Sequence, residues 1–279
     1  MNIIGLGKAG CKIAELFKEY PQYTVFKIDS DEKLKRKKNC IFIPPQGSAE
    51  LYDANPIDLS RLKKSLDEEE IYFIVCGSGK ISACSLWILK ELRDNKINIV
   101  YIKPDLESID SKSKLRNRAH FHIMQEYTRS GVFNRFYVID NNNMPEIVGK
   151  TSILNYYLRI NSLIATIIHW LNIYMNTDPV FDTYREGYIT SRICSFGVVH
   201  LEEEKCIDTF SLKKCNQIKY FFGVNRIIIE GDEELLEKLN RVAANDDKDI
   251  SISYGVYPTD LDIGFSFALK SSSHIQQQE

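Results

Sequence analysis

The feature that most constrains this chain is a glycine-rich turn at residues 5–10, between a short apolar strand and a helical segment. Ile3 and Ile4 lead into Gly5-x-Gly7-x-x-Gly10, and residues 11–17 are typical of a helix. Glycines let the backbone turn tightly and approach a ligand, and the following helix N-terminus offers free N–H groups to a phosphate. The motif indicates a nucleotide-binding turn; the alternative is a turn needed only for strand–helix packing.

Strand-like and helix-like segments alternate over the first 140 residues. The pattern predicts strands at 3–5, 23–28, 40–43, 71–76, 97–102 and 136–139, and helices at 11–20, 56–66, 83–92 and 111–128. Strand 71–76 is continuously apolar, as expected of a strand buried on both faces. The alternation predicts an α/β fold with a parallel, doubly wound sheet, which binds ligands at the carboxyl ends of its strands.

A second glycine-containing turn, Gly77-Ser-Gly-Lys-Ile-Ser-Ala83, follows strand 71–76 and leads into another helix. It is not a Walker A loop, because Ile74 stands where that motif needs its first glycine and Ile81 follows Lys80. An ordinary dinucleotide-binding domain does not require this second turn. Two turns of the phosphate-binding type on neighbouring elements therefore favour a nucleotide-binding fold other than the ordinary dinucleotide-binding domain.

One long helix is predicted from residue 152 to 176, a stretch without Gly or Pro whose apolar positions nearly surround the axis. Such a helix is buried on most faces, so we expect it to lie between two packed layers. After it the pattern predicts strands at 189–201, 225–230, 250–257 and 263–269, the last two around the turn Pro258–Asp262, and helices at 210–220 and 232–243. These segments predict a smaller α+β domain.

The expected organisation is therefore a nucleotide-binding domain over 1–150, a central helix over 151–176, an α+β domain over 177–270 and a disordered tail over 271–279. The net charge of −2 gives no general attraction to nucleic acid or anionic lipid, so neither partner is expected. Seven cysteines without a C-x-x-C pair are interpreted as reduced. Polar residues interrupt every apolar run before membrane-spanning length, which predicts a soluble, cytoplasmic protein without direct membrane binding.

Taken together, the motifs resemble those of the tubulin/FtsZ superfamily of GTP-binding, filament-forming proteins over nearly the whole chain. Residues 4–11 are similar to its first glycine loop, Asp29-Ser-Asp31 to its Asn-Thr-Asp, and Ala54-Asn-Pro56 to its Ala-Asn-Pro. Residues 77–83 stand where the family carries the tubulin signature Gly-Gly-Gly-Thr-Gly-Thr-Gly. Lys103-Pro104 resembles the turn before the ribose-contacting loop, and residues 138–141 resemble Val-Ile-Pro-Asn.

The resemblance implies GTP or GDP as the bound nucleotide, with Mg²⁺. On the long helix, Tyr157 and Asn161 stand one turn apart where the family has an aromatic side chain that stacks on guanine and an Asp or Asn that reads its edge. The nucleotide-contacting residues that the resemblance implies are Gly5, Gly7, Lys8, Ala9, Gly10, Cys11, Asp29, Gly77, Ser78, Gly79, Lys80, Ile81, Ser82, Asn141, Tyr157 and Asn161.

The family also hydrolyses GTP at an interface, where the next subunit supplies an acidic loop. Asp178 and Asp182, after the long helix, are the corresponding candidates for polarising water beside Mg²⁺. Lys80 and Ile81 replace glycine and threonine positions of the signature, which predicts weak or absent turnover. A site completed by a second copy implies head-to-tail self-assembly into a filament.

Three alternatives stay open. Asp29 follows Gly10 by about the 20 residues expected of a ribose-binding acid in an NAD-dependent oxidoreductase. A divergent member of the superfamily would bind nucleotide without polymerising and modulate another filament, and a purely structural protein would use the same fold with a vestigial pocket. His120 and His122 point to different sides of a helix, so no metal site is expected there.

Overall fold

The computed structural model describes residues 1–66, 70–184, 189–244, 247, 249–261 and 264–277. Its first half alternates strands and helices as the sequence predicts. The elements are β1 (Asn2–Leu6), α1 (Gly7–Leu16), β2 (Thr24–Asp29), β3 (Cys40–Phe42), α2 (Ala49–Ala54), α3 (Ser60–Ser65), β4 (Ile71–Cys76), α4 (Ser85–Glu91), β5 (Ile97–Lys103), α5 (Ser111–Arg129) and β6 (Arg135–Asp140).

The second half begins with a short helix and the long one, and continues with strands and two further helices. Its elements are α6 (Met144–Val148), α7 (Tyr156–Met175), β7 (Phe181–Asp182), β8 (Ile193–His200), β9 (Lys205–Asp208), β10 (Gln217–Asn225), α8 (Arg226–Gly231), α9 (Leu235–Ala243), β11 (Ser251–Thr259) and β12 (Ser266–Ser272).

Among the described residues, twelve strands form one sheet in the order β3-β2-β1-β4-β5-β6-β8-β12-β10-β11-β7, with β9 also paired to β8. The strands from β3 to β6 are all parallel, which is the predicted doubly wound arrangement. Strand β8 continues the sheet parallel to β6, with Phe136 opposite Ile193. The two halves of the molecule therefore share one hydrogen-bonded sheet, of mixed direction beyond β8.

Successive residues of a strand point to opposite faces of the sheet, and helices cover both faces of its parallel part. In β1, Ile3 belongs to a buried cluster with α1 and α7, whereas Ile4 belongs to a second cluster with α4 and α5. Ile3 and Ile4 are both fully buried. Burying a side chain of this size contributes about 1.5–3 kcal/mol, so the alternation along each strand fixes the three-layer α/β architecture.

Helix α7 runs from the carboxyl edge of the parallel strands to their amino edge. It starts after β6 and α6, and near its other end the side chains of His169 and Asn172 each hydrogen-bond to the hydroxyl of Tyr23, which precedes β2, at 3.1 Å. Ile160, Ile164 and others on its inner face are buried, as expected of a central helix. None of the helices in the described ranges is long and apolar enough to cross a bilayer.

The predicted secondary structure of residues 210–230 is wrong. Residues 217–225 form strand β10 rather than a helix, because Ile218, Tyr220 and Phe222 alternate onto one buried face. The next segment, predicted as a strand, is helix α8. The side chain of Asn225 caps it by accepting a hydrogen bond from the N–H of Ile227 at 2.8 Å.

The predicted end of the chain also differs from the structure. Strands β11 and β12 do not form a hairpin around Pro258; both pair with β10, β11 in parallel and β12 antiparallel. Asp262 and residue 263 of the predicted turn and strand lie outside the described residues, as do 278 and 279 of the predicted tail. Residues 271–277 are not a disordered tail: β12 extends to Ser272, and the buried Gln276 donates its N–H to Gln125 Oε1 at 2.8 Å.

Candidate nucleotide site at the carboxyl edge of the sheet

Most of the predicted site residues follow strands that are neighbours in the sheet. Strands β1 and β4 pair in parallel, with Leu6 opposite Val75, so both glycine-containing turns leave the same edge. Asp29 ends β2 on one side of β1, and Asn141 follows β6 farther along the same edge. Residues from four separate strand ends are thereby gathered at one edge, where α/β sheets bind ligands.

The first turn is built for close packing and for an open helix end. A Cβ added to Gly5 would lie 2.3 Å from the carbonyl oxygen of Gly10, and one added to Gly10 would lie 2.4 Å from that of Ile74. Gly7 has φ = +71°, which favours glycine. No side chain caps the start of helix α1, so the N–H groups of Gly7, Lys8 and Ala9 donate to no capping side-chain oxygen. A phosphate is the kind of group that such an end accepts.

Cys11 of α1 links this turn to β2, and Asp29 ends β2 beside it. The Cys11 thiol donates to the carbonyl oxygens of Gly5 at 3.3 Å and Ile28 at 3.5 Å, and burial raises its pKa to about 12. Cys11 is therefore a packed, unreactive thiol. Asp29 accepts from the N–H of Ser30 at 2.7 Å, and burial raises its pKa as well.

The second turn is held by hydrogen bonds within itself. The Ser82 hydroxyl lies 3.0 Å from the carbonyl oxygen of Gly77 and 2.6 Å from that of Gly79. Residues 80–84 form a 3₁₀ turn that leads into α4. A Cβ on Gly77 would lie 1.7 Å from the Tyr101 hydroxyl, whereas one on Gly79 would lie 4.0 Å from its nearest neighbour, Ile81. Gly77 is thus required by packing, whereas Gly79 has room for a Cβ at ordinary contact distance from Ile81.

Three contacts of this turn have no counterpart in the sequence analysis. The Lys80 ammonium donates to the carbonyl oxygen of Gly47 at 2.9 Å, joining the turn to the loop before α2. The Arg116 guanidinium donates to the carbonyl oxygen of Ser78 from α5, through Nε at 3.2 Å and a terminal nitrogen at 3.1 Å. Ile81 lies over the first turn, since a Cβ on Gly7 would be 2.9 Å from its methyl group. Such long-range contacts leave no local sequence signal.

The far side of this edge carries a buried ion pair and the start of α7. Lys103 ends β5 and pairs with Asp140, which ends β6; both are buried. The next residue, Asn141, donates its N–H to the carbonyl oxygen of Lys103 at 3.1 Å. In the first turns of α7, the Tyr157 side chain is 63 % exposed, and Asn161 is half-buried with no side-chain hydrogen bond to the described residues. Tyr157 has a ring face available to a ligand.

Asp178 and Asp182 lie at the opposite edge, after the C-terminus of α7. Helix α7 has 20 residues and is therefore about 30 Å long. Both carboxylates are exposed, and Asp182 accepts a hydrogen bond from the N–H of Tyr184 at 3.0 Å within the β7 segment. The structure does not bring them together with the glycine turns of the same molecule.

Within the described ranges, no group of three or more His, Cys, Asp or Glu side chains is placed to hold a metal ion. His120 is buried with both ring nitrogens lacking hydrogen-bond partners among these residues, and burial lowers its pKa to about 4. Its neutral ring lies 5.6 Å from the Tyr101 ring, centroid to centroid.

Comparison with known proteins found similarity in structure and not in sequence. No protein-family model matches the chain, and no curated protein matches it. Among solved structures, the GTPγS-bound protofilament of CetZ2 from Haloferax volcanii superposes with a TM-score of 0.72 at 15 % identity, covering 97 % of this chain and 93 % of that one.

Two further structures agree with this similarity. An empty FtsZ dimer from M. jannaschii has a TM-score of 0.70 at 11 % identity, covering 97 % of this chain and 87 % of its own. The GTPγS-form protofilament of TubZ from Bacillus thuringiensis has a TM-score of 0.69 at 14 % identity, covering 96 % and 86 %. The chain therefore has the tubulin/FtsZ-like fold, which confirms the predicted fold class and the resemblance seen in the motifs.

Proposed function

We propose that this chain, which has the tubulin/FtsZ-like fold, binds a guanine nucleotide at the carboxyl edge of its sheet and assembles head to tail with copies of itself. The observation that carries the proposal is the meeting, at one edge, of the uncapped start of α1, the turn at 77–83 and the start of α7 with its exposed Tyr157. A phosphate-binding helix end and a free aromatic face are the two parts that a nucleotide site needs.

The residues at this edge fit a nucleotide in two ways. The N–H groups of Gly7, Lys8 and Ala9 bind phosphate oxygens, and the ammonium of Lys80 adds a positive charge if it leaves the carbonyl oxygen of Gly47. Ile81, which lies against Gly7, moves aside when phosphate enters.

The nucleoside end of the site uses α7 and the turn after β6. The Tyr157 ring stacks on the base, and the Asn161 amide, with one donor and one acceptor group, reads its edge. Asn141 contacts the nucleoside from the turn that the Lys103–Asp140 ion pair holds in place. Asp29 completes the site beside the first turn.

Hydrolysis is expected to be weak and to need two molecules. Asp178 and Asp182 are about 30 Å from the site of their own chain, so they act on the nucleotide of a neighbour. A bound Mg²⁺ would supply charge neutralisation at the phosphates, and the two carboxylates would orient the attacking water. The Ser82 hydroxyl is already engaged by two carbonyl oxygens, which leaves it poorly available to phosphate.

Exposed apolar residues at both ends of α7 support head-to-tail assembly. The upper apolar patch consists of Ile153, Leu154 and Leu158, which are 61–89 % exposed; the lower apolar patch consists of Met175, Val180 and Phe181, which are 46–58 % exposed. Exposed apolar side chains gathered in this way mark interaction surfaces. Stacking the upper patch of one copy on the lower patch of the next brings Asp178 and Asp182 to the neighbour's nucleotide and repeats without closure.

The proposal is tested by calorimetric titration of dilute protein with GTP, ATP and NAD. We expect GTP to bind most tightly, and Tyr157→Ala to weaken it about 10- to 100-fold through loss of base stacking. Ile227→Ala, which removes an exposed apolar side chain of α8 outside the site and both patches, is the matched control and should bind GTP like the parent. Both substitutions should change the free energy of unfolding by less than about 0.5 kcal/mol.

Two results would contradict the proposal. Tighter binding of NAD than of GTP would favour the oxidoreductase alternative, in which Asp29 contacts the ribose. Absence of binding to any of the three nucleotides would favour a structural protein with a vestigial pocket.

A further inference from the structure

A second cavity lies at the amino edge of the sheet, at the other end of α7 from the candidate nucleotide site. Its volume is about 270 Å³, close to the lower end of the range of small-molecule sites. Tyr72, Tyr137 and Leu171 give it an apolar wall, while Arg135 from β6 and Lys219 from β10 reach it from the two halves of the sheet. The cavity therefore combines an apolar surface with Arg135 and Lys219, besides the paired Lys96 and Glu70.

Neither cation has a carboxylate partner within the described ranges. The guanidinium of Arg135 donates to neutral acceptors, the carbonyl oxygen of Ser191 at 3.3 Å and the sulfur of Cys194 at 3.6 Å. The ammonium of Lys219 lies over the Tyr184 ring, 3.6 Å from its centroid. The carboxylate at the cavity, Glu70, is engaged by the ammonium of Lys96 at 3.1 Å.

The two unpaired cations also act on each other. Burial lowers the pKa of Lys219 and the charge of Arg135 lowers it further, while the charge of Asp182 partly offsets the two. Half-buried charges are unfavourable unless paired, and among the described residues Asp182, the carboxylate that acts on Lys219, forms no ion pair with it. An anion between Arg135 and Lys219 would relieve both the burial and the repulsion.

We propose that this cavity binds a small organic anion, with its carboxylate or phosphate between Arg135 and Lys219 and its apolar body against Tyr72, Tyr137 and Leu171. A guanidinium binds the paired oxygens of either group through two parallel hydrogen bonds, and an ammonium adds a point charge. The ligand is not the nucleotide of the first site, since the two sites lie at opposite edges of the sheet.

The test is a calorimetric titration of the full chain with phenyl phosphate, benzoate and, as the neutral match, benzyl alcohol. We expect saturable binding of at least one of the two anions and much weaker binding of the alcohol. Lys219→Gln removes one charge and should weaken anion binding tenfold or more. Lys90→Gln, an exposed lysine outside the cavity, is the matched control and should leave binding unchanged.

Competition separates this site from the first one. Saturating GTP should leave anion binding unchanged, and Lys219→Gln should leave GTP binding unchanged, so failure of one proposal does not affect the other. Absence of saturable anion binding up to about 10 mM would overturn the proposal. Equal binding of the alcohol, equal binding by Lys219→Gln, or displacement of the anion by GTP would overturn it as well.

Discussion

His120 shows how a single buried residue makes stability depend on pH. Its ring stacks against Tyr101, and its two nitrogens have no hydrogen-bond partner in the described part of the chain. The folded pKa is about 4, below the value of about 6.5 expected in the unfolded chain. The unfolded state therefore binds the proton more strongly, and stability falls as pH drops from about 6.5 towards 4.

His120→Phe should remove this contribution while keeping the stacked ring. Above pH 7 the variant and the parent should have similar free energies of unfolding. Between pH 6.5 and 4 the parent should lose up to about 3 kcal/mol more than the variant, the energy equivalent of its pKa shift. Urea denaturation across this pH range measures the difference, and parallel pH profiles for the two proteins would contradict the interpretation.

At the scale of the elements, the turn at 77–83 contains two glycines, and packing requires only one of them to be glycine. Ala at position 77 forces a Cβ into the Tyr101 hydroxyl, so Gly77→Ala should cost about 1–3 kcal/mol. Gly79→Ala meets only an ordinary contact with Ile81 at an ordinary φ of −68° and should cost less than about 0.5 kcal/mol. Chemical denaturation of the two variants checks this, and equal costs would show that packing does not distinguish them.

The elements also show what local sequence determines. Strands β1, β2, β4, β5 and β6 were predictable because each is a short apolar run between turn or helix signals, and the residues at the glycine turns follow directly from those strands. Residues 226–229 were not: their β-branched run suggests a strand, yet they form α8, with Ile227 78 % exposed. Helix capping by Asn225 outweighs β-propensity there.

Contacts between distant segments account for the other differences. Strand β10 pairs with β11 and β12, which follow it by about 30 to 50 residues, and nothing local specifies that pairing. In the candidate site, Arg116 reaches the carbonyl oxygen of Ser78 across 38 positions of the chain. The sequence predicted the two glycine turns at the carboxyl ends of their strands, whereas their support and the position of Ile81 against Gly7 required the structure.

At the scale of the whole molecule, α7 connects the carboxyl edge of the parallel strands to their amino edge. Each edge carries a different part of the proposed site. Tyr157 and Asn161 lie at its start, and Asp178 and Asp182 follow its end, about 30 Å away. On the proposed function, one molecule has an incomplete site at each end, and only contact between two copies unites them. On this basis, phosphate release from GTP should rise more steeply than in proportion to protein concentration.

Mixing two inactive variants tests this arrangement most directly. Asn161→Ala weakens the nucleotide site but keeps the acidic loop, whereas the double variant Asp178→Asn, Asp182→Asn keeps the nucleotide site. With GTP below the Kd of the first variant, each alone should release little phosphate. In an equimolar mixture about one quarter of head-to-tail contacts unite the intact halves, so activity should reappear. A mixture as inactive as its components, or a parent rate strictly first order in protein, would contradict a site shared between copies.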